Sequence, residues 1–137
     1  MILDEVSKLP DKMAPEKLLP YFEGVTKYHQ DHPELTVSTA EALFQLADRQ
    51  WHTYQILTGR HREILVAWLK QVWDVNDLDL IEKLIFVIGA LGLQECEYLL
   101  RDSLKLALRE EVRTEIAGAL EEFGDHLGDP YFGQSNP

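Results

Sequence analysis

The chain has 137 residues, enough for one domain with a real core. Its net charge of −11 opposes phosphate backbones and excludes general nucleic-acid binding, while 45% apolar and 27% charged residues is the balance of a folded globular chain. A lone cysteine, Cys96, excludes an intramolecular disulfide, and no run reaches the ~18 apolar residues of a membrane span, the longest being LIFVIGALGL at 84–93.

The N-terminal MILDEVSKLPDK carries Asp4 and Glu5 and lacks a long apolar stretch, so it does not read as a signal peptide. With Cys96 between Glu95 and Glu97 read as a reduced, structural thiol, the expected compartment is the cytoplasm. PEKLLPYFEGVTKYH follows, with Leu18, Leu19, Phe22 and Val25 at helical spacing. YHQDHPE then gathers His29, Asp31, His32 and Glu34. Two histidines three apart suit one helical face, but Pro33 drives His32 toward extended geometry, so a solvated helix end is expected and no metal. A second helix runs through LTVSTAEALFQLA, where Ser38 and Glu41 have the spacing of a capping box or lie inside a longer helix begun after Pro33.

RQWHTYQILTGR, residues 49–60, fits neither neighbour, and Gly59 is expected to end the preceding helix. Trp51, His52 and Tyr54 have two readings. Either Trp51 and Ile56 fill a joint between helical hairpins, or the segment forms a contact surface with Arg60, His61 and Arg62, since tryptophan, tyrosine and arginine anchor interfaces. HREILVAWLKQVW is the next helix. Trp68 and Trp73 lie five apart on it, so both cannot face the core squarely. In DVND, Asp77 is placed to cap a helix over LIEKLIFVIGALG that closes at Gly92. QECEYLLRDSLKLAL reads as a helix with Cys96, Leu99, Leu100, Leu104 and Leu108 inward, and VRTEIAGALEEFG as the last, closing at Gly124. No sustained period-2 alternation signals a strand.

Residues 112–124 repeat the pattern of residues 80–92 at a shift of 32: Ile116 matches Leu84, Leu120 matches Ile88 and Gly124 matches Gly92. Residues 35–47 repeat it more weakly. The chain thus reads as an all-α protein of three helical hairpins, 15–48, 61–92 and 93–124, with an extra segment at 49–60 and an irregular C-terminal tail at 126–137. Leu84, Ile88, Leu100, Ile116 and Leu120 are expected to be buried between hairpins. In REEVRTEIAGALEEFGD, a Val-Arg pair leads through an alanine-leucine step to a closing Gly-Asp, and this resembles the second helix of a HEAT repeat. The resemblance implies a short right-handed α-α superhelix forming a single domain.

Acids outnumber bases ten to four over residues 93–129. Such a face serves as a solvated cap on the last repeat, or as a recognition patch through Glu111, Glu115 and Glu122. There is no phosphate loop, nucleophile elbow, zinc spacing or adjacent His-Glu pair, so no cofactor is expected. The expected function is non-catalytic protein binding, as an acidic stoichiometric inhibitor or adaptor for a basic partner protein, in the manner of bacterial immunity proteins. The alternative is a HEAT-like enzyme or chaperone acting on a modified protein, of the bilin lyase type. The expected contact residues are Trp51, His52, Tyr54, Arg60, Arg62, Glu111, Glu115 and Glu122.

Overall fold

Seven α-helices and no strand make up the described residues, 1–133, of the computed structural model. They are α1 (Ile2–Ser7), α2 (Pro15–Asp31), α3 (Thr36–Trp51), α4 (Gly59–Val72), α5 (Leu78–Leu91), α6 (Glu97–Ser103) and α7 (Glu110–Phe123). Short 3-10 turns, Pro33–Leu35 and Gln94–Cys96, lead into α3 and α6. Proline opens α2, where its missing N–H costs no bond, and Pro33 ends it by holding His32 at a non-helical φ of −134°. The carboxylate of Asp77 caps α5 by accepting from the Leu80 N–H at 3.1 Å. Gly92 closes α5 in the left-handed conformation at φ 62°, with the Leu93 N–H reaching the Ile88 carbonyl at 2.9 Å.

The helices form two rows. Helices α3, α5 and α7 pack side by side, the α3–α5 interface being the most extensive, while α2 packs on α4 and α4 on the turn that leads into α6. The core runs between the rows through Phe22, Leu43, Leu46, Leu69, Leu84 and Ile88, each at most 2% exposed. Helix α1 closes one end by burying Leu3 and Val6 on α2 and α3. No described helix is long and apolar enough to cross a membrane.

Several expectations require correction. Leu84, Ile88, Leu100 and Ile116 are fully buried, but Leu120 is only half-buried, because α7 is the last helix and no further hairpin covers its outer side. Helix α3 ends at Trp51, well before Gly59, which instead begins α4 at φ 67°. Of the two readings of Ser38 the capping box falls, since Ser38 lies within the longer helix begun after Pro33. Helix α6 stops at Ser103, and the main chain over Leu104 and Leu106 turns to meet Arg113, whose guanidinium donates to both carbonyls at 3.2 and 2.8 Å. The expectation for the two tryptophans holds: Trp68 on α4 is buried, whereas Trp73, the residue that follows the helix, is half-buried, its indole donating to Ser103 Oγ.

The chain beyond α7 is irregular, as expected, and it is packed. Residues 124–133 return across the ends of α3 and α5, burying Leu127. Pro130 sits directly on Gly92, where a Cβ would fall 2.8 Å from the proline ring, so this glycine serves both a turn and a close approach. Residues 134–137 of the expected tail lie outside the described residues.

Candidate functional site: an acidic, aromatic groove

A groove of about 640 Å³ opens where α3, α5, α7 and the returning segment meet. Each helix contributes side chains at the i, i+3, i+4 spacing that defines one face. From α3 come Asp48, Trp51 and His52; from α5, Glu82, Ile85 and Phe86, continued by Gly89 and Ala90; from α7, Ala119, Glu122 and Phe123. The returning segment completes the wall with His126, Asp129 and Phe132 among others.

The floor is apolar. Ile85, Phe86, Ala90 and Phe123 are half-buried, and Phe86 packs on Phe44 with ring centroids 4.1 Å apart. The rim is acidic, with one exposed carboxylate from each of the four elements: Asp48, Glu82, Glu122 and Asp129. No lysine or arginine lines the groove. Asp48 has the exposed His52 3.8 Å away, and among the described residues no ion pair involves Glu82, Glu122 or Asp129.

An aromatic stack holds the returning segment in place. The Trp51 indole N–H donates to the Pro130 carbonyl at 3.0 Å, and Tyr131 packs on Trp51 and stacks on Tyr54 with centroids 5.0 Å apart. Tyr54 occupies the left-handed region at φ 58°, a strained position for a bulky side chain. Burial pushes the Tyr131 phenol up from its ordinary value. Phe132 stacks on His126 at 3.9 Å and remains 61% exposed, an aromatic surface left open to the groove.

Of the eight expected contact residues, the structure brings Trp51, His52 and Glu122 together here, and Tyr54 supports them from behind through Tyr131. Glu111 and Glu115 are exposed on α7 nearer its N-terminus, outside the groove. Arg60 is exposed and also lies outside it. Arg62 faces inward. Its guanidinium grips both Glu95 oxygens at 2.7 Å and donates to the Gly92 carbonyl at 2.8 Å and the Leu57 carbonyl at 3.1 Å. The Arg62 hydrogen bonds hold the Glu95 carboxyl below its ordinary range. Asp48, Glu82, Phe86 and Phe123 were not singled out from the sequence. Their i, i+3, i+4 spacing was the available signal, but on any one helix it looks like an ordinary amphipathic face.

His29 is buried within the fold. It accepts from the Trp68 indole N–H at 3.1 Å through Nδ1 and bonds Thr36 Oγ1 at 2.9 Å through Nε2. His32 stacks on Tyr28. No three metal-ligating side chains converge among the described residues. Cys96 is buried, and its thiol is pushed up to about 11 chiefly by burial, which suppresses the thiolate.

Compared with protein-family models, with curated proteins and with solved structures, the chain matches none.

Proposed function

We propose that this chain is a non-catalytic protein-binding module, a short HEAT-like superhelix that acts as an acidic stoichiometric inhibitor or adaptor for a basic partner protein. The observation that carries this reading is the groove lining: four carboxylates from four elements, aromatic side chains between them, and no lysine or arginine among the lining residues. An anionic rim lined by no lysine or arginine favours a cationic ligand and accelerates its encounter, and the net charge of −11 extends that attraction over the surface. Aromatic side chains at the centre of such a patch supply affinity that charge alone does not.

The test is binding of small folded basic proteins at low salt and at about 0.15 M, where the screening length is about 8 Å. One-to-one binding is expected, with an association rate that falls with salt. The variant D48N/E82Q/E122Q/D129N should lose most of that rate. Basic proteins that bind this variant as well as the parent chain would overturn the reading.

A further inference from the structure

The groove has two chemistries, and the rim accounts for only one of them. A ligand recognised by charge alone has no use for the half-buried floor of Ile85, Phe86, Ala90 and Phe123. An exposed apolar surface rimmed by charge marks a site where apolar surface is brought by a partner. We infer that the groove receives an amphipathic α-helix of the basic partner, its apolar stripe on the floor and its lysines or arginines against the four rim carboxylates. This inference rests on the protein-binding reading above and names the partner element that the same site accepts.

The backbone chemistry selects a helix over an extended segment. Strand addition needs a sheet edge with free N–H and C=O groups, and the described residues contain no strand. Three of the four walls are helices whose main-chain groups are bonded internally, and in the fourth the N–H groups of His126, Asp129 and Phe132 are already bonded within the segment, so an extended peptide on the apolar floor would find few main-chain partners. A helix satisfies its own backbone and offers side chains at i, i+3, i+4 and i+7, the periodicity with which α3, α5 and α7 line the groove. A second copy of the chain is disfavoured by the repulsion of two bodies of charge −11, and an anionic lipid surface by the same rim carboxylates.

The probe is a synthetic peptide of about four helical turns, with leucine at i, i+3, i+4 and i+7 and lysine elsewhere. Its comparators are an isomer of the same composition in strict alternation, an oligolysine of equal charge and a cationic detergent monomer. Calorimetry at physiological salt should give one-to-one binding of the helical peptide, about tenfold or more tighter than any comparator, with a gain of helical circular dichroism. Ala90→Arg, which sends a cation from the floor into the open groove, should abolish that binding while leaving the melting temperature within the range of the parent chain. Equal binding of the alternating isomer, oligolysine or detergent would overturn the helix while leaving a charge-driven protein-binding module standing. Binding that survives Ala90→Arg would overturn the location. If none of these probes binds and folded basic proteins also fail, both readings fall.

Discussion

The guanidinium of Arg62 meets two carboxylate oxygens of Glu95 and the main-chain carbonyls of Leu57 and Gly92 at once, with the Leu91 carbonyl at 3.5 Å. The planar fork of arginine matches this set and the point charge of lysine does not. Arg62 thereby ties the start of α4 to the C-terminal carbonyls of α5, a favourable place for a cation. Arg62→Ala should therefore cost about 1.5–3 kcal/mol in a denaturant melt, and Arg62→Lys should recover only part of it. The same contact sets a pH dependence. The folded-state value of Glu95 lies below its ordinary 4.5, so its contribution is complete above that value and is lost as pH falls through the lower one. Glu95→Gln should flatten stability in that acid window and leave the neutral-to-alkaline side parallel to the parent; an unchanged acid limb would remove Glu95 from the account. At Trp51, the two readings of its segment resolve into a third. The ring fills a joint, but the joint lies between the end of α3 and residues 124–133, and its other surface faces the groove.

At the scale of elements, legibility follows the range of the interactions. Helix α5 could be read because its signals are local: Asp77 caps it, Gly92 ends it, and its apolar spacing is unbroken. The extent of α6 could not, since Leu104 and Leu108 continue the helical spacing while Arg113, nine residues beyond Leu104 and seven beyond Leu106, captures carbonyls that would otherwise extend the helix. The groove wall was less legible still, because it depends on contacts such as Trp51 to Pro130, separated by 79 residues. Helix α1 offered only Leu3 and Val6 as signals and was missed. Its role is fixed from the other side by Arg49, which is 8% exposed and has no carboxylate partner among the described residues. It donates instead to the carbonyls of Leu9 at 2.9 Å and Pro10 at 2.8 Å. Removing residues 1–12 should therefore cost more than the lost apolar contacts of Leu3 and Val6. It also removes the two main-chain carbonyls to which the Arg49 guanidinium donates, charge-assisted bonds worth about 1.5–3 kcal/mol each. Arg49→Met in the full chain should lose those two bonds while keeping the contacts of Leu3 and Val6, and so fall between the parent and the shortened chain in a denaturant melt. A shortened chain that melts with the parent would show that α1 lies outside the cooperative unit.

For the whole molecule, the distribution of charge separates what stabilises the fold from what the groove requires. The lysines and arginines that pair with carboxylates among the described residues, Arg62 with Glu95, Lys83 with Asp79 and Glu41, Arg101 with Glu97 and Lys105 with Asp102, lie outside the groove. The four rim carboxylates converge on one opening of a chain already at −11, so their mutual repulsion opposes the folded state. The Asp48–His52 contact is exposed on both sides and contributes little against this. At Asp129 the oxygen accepts the Tyr131 N–H at 3.1 Å, a bond an asparagine oxygen also makes. The variant D48N/E82Q/E122Q/D129N should consequently melt at or above the temperature of the parent chain, with the difference largest at low salt and shrinking as screening increases. The same variant should lose the association with basic proteins. Stability gained where binding is lost is the signature of charges kept for recognition. A variant that melts lower than the parent at every salt concentration would instead place these carboxylates among the groups that hold the helices together, and the groove would lose its claim to be a site.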